Sequence, residues 1–290
     1  MRLTPRNVAW LLRRSIFAAF DDGCLGIAKG AAYSALLSFF PILASAATIL
    51  VQTRAEFVSK FLEDTLDQIV PPGTEDLVMQ QFRVTGARPI SLLVVAFLIS
   101  VWAASGVIKS LMEGFQIVYR VPRSRSFLQT QGVAVAMVLL AAFPLVCATA
   151  LVIFGAQVES TMLAWMKVDP MLSPLSGLMR AVSRGTRYLL AFVTTVTVTC
   201  TLYHFGPYRR QRWRYVWPGA VVATVFWLVA TAGFAWYVRN MGHYNVMYGS
   251  IGAGIALLVW MYLMAVIALI GCEFNAEYER AAAPQVTTKG

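Results

Sequence analysis

The chain alternates between long apolar stretches and short charged ones. Six stretches contain no Asp, Glu, Lys or Arg, and each is at least 20 residues long. They cover residues 30–53, 89–108, 126–158, 188–208, 215–238 and 240–272. A helix needs about 20 apolar residues to cross a hydrocarbon core of about 30 Å. The pattern therefore predicts about six membrane-spanning helices.

These stretches are continuously apolar rather than alternating with a period of two, which favours helices over a β-barrel. The spans are predicted at 31–51, 90–108, 133–156, 188–205, 216–238 and 248–272. We expect an all-α fold with a single membrane domain over residues 1–290. This domain comprises an N-terminal cytoplasmic segment (1–30), a six-helix bundle (31–272) and a cytoplasmic tail (273–290).

Two segments outside the spans also have helical patterns. Residues 6–20 place Leu11 and Leu12 on one face, with Trp10 and Phe17 available for the membrane interface. This pattern predicts an amphipathic helix along the membrane surface. In the outer loop 53–89, apolar residues recur at helical spacing before a Pro-Pro-Gly sequence, which predicts a helix that ends there.

Composition supports a membrane protein, since 58% of the residues are hydrophobic and 13% are charged. Soluble domains have roughly 45–50% and 25%. With six spans both termini lie on one side, and that side carries 15 of the 24 Lys and Arg residues. The positive-inside rule therefore places both termini in the cytoplasm of a multi-pass protein.

The densest basic segment is the short loop after the fourth predicted span. Its arginines are flanked by Tyr208, Trp213 and Trp217, which is typical of a topology anchor at the membrane interface. Nucleic-acid binding is the alternative, but anionic lipid headgroups explain the charges equally well. We expect lipids and no nucleic acid as partners of these residues: Arg209, Arg210, Arg212 and Arg214.

The sequence contains little that indicates an enzyme. It has two histidines, His204 and His243, and no zinc-protease, phosphate-binding, dinucleotide-binding or serine-hydrolase motif. The four cysteines lack the paired spacing of a zinc or redox site, which favours packing roles. We therefore expect no catalytic residues, metal or cofactor.

Polar residues within or beside the spans are the candidates for function, because such groups usually face a bundle interior or a cavity. Pro41 is expected to kink the first span, either for packing alone or to open a polar cavity. Lys109 and Glu113 lie four residues apart and could pair, at the membrane boundary or around a headgroup or proton. The candidate substrate pathway comprises Tyr33, Ser34, Ser38, Pro41, Trp102, Ser105, Lys109, Glu113, Asn245, Tyr248, Ser250 and Glu273.

The last span begins with a run of small residues. Glycines at this spacing allow a neighbouring helix to approach closely, and we assign that packing role to Gly249, Gly252 and Gly254. Beyond the span, Glu273, Asn275 and Glu277 are expected at the membrane boundary.

Four segments together give the chain a family resemblance: AAYSALLSFFPIL, the pattern W-x-x-S-G-x-x-K-S-L-x-x-G-F-x-x-V-Y from Trp102 to Tyr119, RWRYVWPGA, and YNVMYGS through GCEFNAE. Over about residues 10–280 the chain resembles the YihY/BrkB family of bacterial inner-membrane proteins. The resemblance implies six spans in the inner membrane. Members of this family have been labelled ribonuclease BN, which the chemistry above fits poorly, or virulence factors.

We expect a transporter that moves lipid or another amphiphilic envelope precursor across the membrane. Facilitated flipping is the simpler mechanism, because no Asp or Glu lies in mid-span. The alternative is a membrane scaffold that forms a homo-oligomer or binds envelope proteins through its glycine-rich last span.

Overall fold

A computed structural model describes residues 5–52, 90–122, 126–165, 174–209, 211–240 and 244–282. Over these residues the chain forms seven α-helices and no strand. They are α1 (Pro5–Asp21), α2 (Cys24–Gln52), α3 (Ile90–Val118), α4 (Phe127–Trp165), α5 (Pro174–Phe205), α6 (Trp213–Asn240) and α7 (Tyr244–Ala282). Helices α2 to α7 are long and apolar enough to cross a membrane. The prediction of six spans preceded by an N-terminal helix is confirmed.

The six long helices close into a ring. Each packs against the next in chain order, and α7 returns to pack against α2. Helix α7 also contacts α3 across the bundle, and α1 packs onto α7. The main apolar core lies where these helices meet, with Ala28, Phe115, Ala220 and Leu269 buried in it.

Helix α1 and the last turns of α7 lie at the same end of the bundle as the end of α3 and the start of α6. Contacts join these segments directly: Arg14 pairs with Glu277, and Arg280 donates to the carbonyl of Val118. Asn275 binds the first turns of α6. We call this the N-terminal end of the bundle.

The amphipathic pattern of α1 has a packing consequence. Leu11, Ser15 and Ala19, spaced four residues apart, are buried, whereas Trp10 and Phe17 are exposed. The Ser15 hydroxyl donates to the Leu11 carbonyl at 2.7 Å, so this buried hydroxyl has a hydrogen-bond partner. The apolar face of α1 therefore covers one end of the bundle. The sequence predicted a helix along the membrane surface but not this packing against the bundle.

The helix ends differ from the predicted boundaries. Helix α2 begins at Cys24, and α7 continues to Ala282. Residues 271–277 are buried, so 273–277 belong to the bundle rather than to a tail. Charged residues mark a membrane boundary only when water solvates them, and these are packed inside the protein. The helix predicted in loop 53–89 lies outside the described residues.

The connection between α3 and α4 is built from local caps. Arg120 has a φ of 53°, and the amides of Arg120 and Val121 donate to the carbonyls of Ile117 and Gln116. This is the Schellman arrangement that ends a helix. Ser126 and Gln129 then exchange hydrogen bonds as a capping box for α4.

Candidate functional site

An apolar cavity of about 410 Å³ lies inside the ring, between α2, α3, α5, α6 and α7. Aliphatic, aromatic and methionine side chains form most of its wall, including Ile42, Val107, Leu111, Trp227, Met261 and Met264. In the described part of the chain, a smaller pocket of about 300 Å³ lies between α4 and α5. The larger cavity is the one that five helices share.

Few polar atoms reach the larger cavity. The hydroxyls of Ser38 and Thr224 line it, but each donates to a carbonyl of its own helix, at 2.9 and 2.8 Å. The indole N–H of Trp260 is buried and has no acceptor among the described residues. A bound molecule with a hydrogen-bond acceptor could satisfy that group.

The predicted pathway residues of the first two spans divide between the cavity and the outer surface. Ser38 lines the cavity, and Ser34 lies at the contact with Gly106 of α3. Tyr33 is 61% exposed and Trp102 is 69% exposed, so both face outward. Those two side chains are better suited to contact surrounding lipid than to line a path through the bundle.

Helix α2 runs unbroken through Pro41, the residue expected to kink the first span. The side-chain hydroxyl of Ser45 donates to the Pro41 carbonyl at 2.9 Å. It also lies 3.1 Å from the hydroxyl of Ser100 on α3. The polar groups near the proline therefore join α2 to α3.

A short polar network joins α3 to α4. Gln131 donates to the Ser105 hydroxyl at 2.8 Å, and the Lys109 ammonium donates to the Gln131 side-chain oxygen at 2.8 Å. The ammonium also lies 5.9 Å from the centre of the Phe127 ring. Glu113, one turn beyond Lys109, is exposed. Sequence reasoning missed Gln131 because a glutamine before a span resembles an ordinary helix-start residue.

Asn275 is fully buried and binds the backbone of α6 on both sides of Pro218. Its side-chain oxygen accepts from the Gly219 amide at 2.7 Å, and its side-chain nitrogen donates to the Val216 carbonyl at 2.8 Å. Proline lacks an amide hydrogen and disturbs the helical ladder near it. Asn275 therefore supplies hydrogen bonds where α6 is locally weakened.

Glycine allows α6 and α7 to approach closely at this point. A Cβ on Gly219 would meet the Gly271 carbonyl, and a Cβ on Gly271 would lie 2.5 Å from the Tyr203 hydroxyl. By contrast, a Cβ on Gly254 would meet no atom of the described residues within 4 Å. Within the described part of the chain the close approach of α6 and α7 lies at Gly219 and Gly271, and the packing role of Gly254 stays a prediction.

The other predicted residues at the start of α7 are only partly described. Gly252 is buried. The surroundings of Gly249 and the side chains of Asn245, Tyr248 and Ser250 lie outside the described part of the chain. Their place in a pathway stays a prediction.

The N-terminal end of the bundle is held together by ion pairs. Glu277 is buried and accepts from Arg14 at 2.5 Å and from Arg280 at 2.6 Å. Arg280 also donates to the Val118 carbonyl at 2.8 Å. The Glu277 carboxylate thus joins α1 to α7, and the Arg280 guanidinium joins α7 to α3.

Beside these ion pairs lies a charged cavity of about 390 Å³. Its charged wall comprises Arg14, Asp21, Asp22, Arg120, Glu277 and Arg280. Three arginines and three carboxylates thus surround one space. Such a wall can bind both the anionic and the cationic part of a polar group.

The basic loop before α6 joins the same end. Arg209 pairs with Glu279 at 2.8 Å and lies 5.5 Å from the centre of the Tyr119 ring. Burial raises the pKa of the Tyr119 hydroxyl well above its usual value, so this ring stays neutral. Arg212 and Arg214 are exposed, and Arg210 lies outside the described residues. The interaction with anionic lipid stays a prediction for these arginines.

A packed layer separates the two cavities. On α7, Ala268 lines the apolar cavity and Glu277 lines the charged one. Nine residues of helix correspond to about 13 Å. Between them lie buried Phe115 and Tyr203, whose rings meet edge to face at 5.3 Å, and the Tyr203 hydroxyl donates to the Ala268 carbonyl at 2.6 Å. The apolar cavity is therefore closed toward the N-terminal end.

Glu273 lies within this layer and is 0% exposed. One of its oxygens accepts from the Cys24 thiol at 3.9 Å. Sequence reasoning selected Glu273 as a boundary residue, but it could not reveal this burial, because the covering residues lie about 250 positions earlier in the chain.

The described residues contain no group of three His, Cys, Asp or Glu side chains arranged to hold a metal. His204 stacks on Trp213 at 4.2 Å. The geometry defines the protein as a polytopic α-helical membrane protein with an internal apolar cavity.

Comparisons with known proteins identify the family. Residues 17–290 match the family described as virulence factor BrkB, so the chain belongs to the BrkB family. No solved structure matches it.

Three relatives show how far the similarity extends. The ribonuclease-like protein YfkH of Bacillus subtilis (strain 168) is 27% identical, over 84% of this chain and 86% of the relative. A UPF0761 membrane protein of Tolumonas auensis is 25% identical, over 94% and 91%. A UPF0761 membrane protein of Alkalilimnicola ehrlichii is 27% identical over 88% of this chain, which spans only 55% of that relative.

Proposed function

We propose that this protein moves an amphiphilic molecule, a lipid or an envelope precursor, across the bacterial inner membrane. The observation that carries the proposal is the apolar cavity of about 410 Å³ lined by five helices. Its volume falls within the range of about 300–1,000 Å³ that is typical of ligand pockets. Its wall suits an aliphatic chain.

The charged cavity supports the same proposal, because it offers a place for a polar headgroup. It lies about 13 Å further along α7, by the helical rise from Ala268 to Glu277. An amphiphile combines these two chemistries in one molecule. In this arrangement the packed layer between the cavities must open during each transport cycle.

The orientation that we propose places the N-terminal end in the cytoplasm. The excess of Lys and Arg on that side supports it through the positive-inside rule.

The proposed transport involves no catalytic step. The ribonuclease-like name of YfkH belongs to that relative.

The alternative function is a membrane scaffold. The observation that favours it is the open space beside Gly254, where a helix of another chain could approach closely. A scaffold does not need the apolar cavity. Filling the cavity therefore separates the two functions.

The test is lipid translocation in proteoliposomes, with fluorescent anionic and zwitterionic phospholipids. Ala35→Trp places a large ring in the cavity wall, and we expect it to reduce translocation to the level of empty vesicles. Ala142→Trp is the matched control, because Ala142 is exposed on α4. We expect this control to translocate lipid like the unmodified protein.

Two results would contradict the proposal. One is an unmodified, correctly inserted protein that translocates neither lipid class faster than empty vesicles. The other is an Ala35→Trp variant that is as fast as the control. If either result is accompanied by loss of self-association in Gly254→Leu, the scaffold becomes the better account.

A further inference from the structure

The carboxyl group of Glu273 is buried without the partners that an ionised carboxylate requires. Its side chain is 0% exposed, and one oxygen, Oε2, has no hydrogen-bond donor among the described residues. The other oxygen accepts from the Cys24 thiol, a weak donor, at 3.9 Å. Burying an unpaired charge is costly, so such a group is expected to carry a proton.

The nearby cations bind elsewhere. Arg14 and Arg280 both pair with Glu277, one helical turn beyond Glu273, and among the described residues no ion pair reaches Glu273 itself. Arg280 acts on Glu273 only as a more distant positive charge. Glu277 thus holds both guanidinium groups away from the Glu273 carboxyl.

A second carboxyl group faces Glu273 from the turn between α1 and α2. Asp22 comes two residues before Cys24, whose thiol contacts Glu273 at 3.9 Å, so its side chain lies beside the Glu273 carboxyl; it also lines the charged cavity. Two carboxyl groups can hydrogen-bond to each other only when one of them carries a proton. The remaining titratable neighbours are the thiols of Cys24 and Cys272 and the carboxylate of Glu277.

We propose that Asp22 and Glu273 form a proton-binding site that controls the opening of the layer between the two cavities. The pair shares one proton while the layer is closed. When the N-terminal end opens, water reaches Glu273 and the proton passes to water, which leaves two carboxylates that repel each other. Closing the layer again requires one proton from the same side.

The location of Glu273 supports this role, which rests on the proposed transport function. Along α7 it stands between Ala268, in the wall of the apolar cavity, and Glu277, in the wall of the charged one. A proton bound there stabilises the closed layer. The site controls facilitated flipping without coupling it to a proton gradient, because the proton leaves and returns on the same side of the membrane.

Infrared difference spectroscopy of the reconstituted protein tests the site without a transport measurement. We expect a protonated-carboxyl band at a pH where Asp and Glu in water, with pKa values of about 4, are ionised. Glu273→Gln should remove this band. Glu279→Gln is the matched control and should retain it, because Glu279 pairs with Arg209 near the surface.

Asp22→Asn tests whether the proton is shared. The band should persist at a shifted frequency, because the hydrogen-bond partner of the Glu273 carboxyl changes. No band in the unmodified protein at neutral pH would overturn the proposal. A band unchanged in Glu273→Gln, or of unchanged frequency in Asp22→Asn, would do the same.

Translocation measured against pH tests the coupling. Because opening releases the proton and closing takes it up again, the rate of the unmodified protein should pass through a maximum with pH, and Glu273→Gln should be slow at every pH. A variant with the unmodified rate and pH profile would overturn the coupling. If no translocation occurs but the band is lost in Glu273→Gln, the proton site stands and the proposed transport function fails.

Discussion

Gly219→Ala is expected to destabilise the protein by about 1–3 kcal/mol, although it adds a single methyl group. That methyl would meet the Gly271 carbonyl and would lie 2.5 Å from the side-chain oxygen of Asn275. Both obstacles are fixed, one by the backbone and the other by two hydrogen bonds. Helices α6 and α7 must therefore separate, and the layer that closes the apolar cavity loosens with them.

Gly233→Ala, in the same helix, is the matched control. A Cβ at Gly233 meets nothing within 4 Å, so alanine should raise stability by up to about 1 kcal/mol through its better helix propensity. Unfolding in mixed micelles with increasing SDS measures both changes. Equal stability of the two variants would show that the close approach of α6 and α7 is not needed for folding.

Asn275→Leu is expected to cost about 2–4 kcal/mol, because a buried donor and a buried acceptor on α6 lose their partners. The Gly219 amide and the Val216 carbonyl flank Pro218, where the missing proline amide already weakens the backbone hydrogen bonding of α6. The same unfolding measurement applies.

Thr197→Val is the control for this substitution. Thr197 is exposed on α5, and its hydroxyl binds only the Val193 carbonyl of its own helix. We expect a change within about 0.5 kcal/mol, as for most surface substitutions. A loss of stability in Asn275→Leu no larger than in this control would contradict a structural role for the Asn275 amide.

The spans could be predicted from sequence because a single physical rule governs them. Because a charge in hydrocarbon is costly, each span is a long run without charged residues, and that run shows where the helix lies. The same rule failed at the end of α7. There Glu273, Asn275 and Glu277 are buried against other protein groups, and neither water nor lipid determines their position.

The site was less predictable because its contacts join distant parts of the chain. The Lys109 side chain binds Gln131 on the next helix, a partner that its spacing from Glu113 does not indicate. The run of small residues in α7 indicated close packing, but it could not show that Gly271 meets Gly219 of α6. Such pairings depend on how the ring of helices closes, and no local sequence pattern indicates that.

Photolabelling tests the central claim, that the cavity between the helices takes the apolar part of an amphiphile. A phospholipid with a photoactivatable group on its acyl chain would be crosslinked to the reconstituted protein, and the labelled residues located by mass spectrometry. We predict labelling of Met261 and Met264 in the cavity wall, strongly reduced in Ala35→Trp and retained in Ala142→Trp. Labelling confined to outward-facing residues such as Leu140 and Phe143 of α4 would contradict the claim.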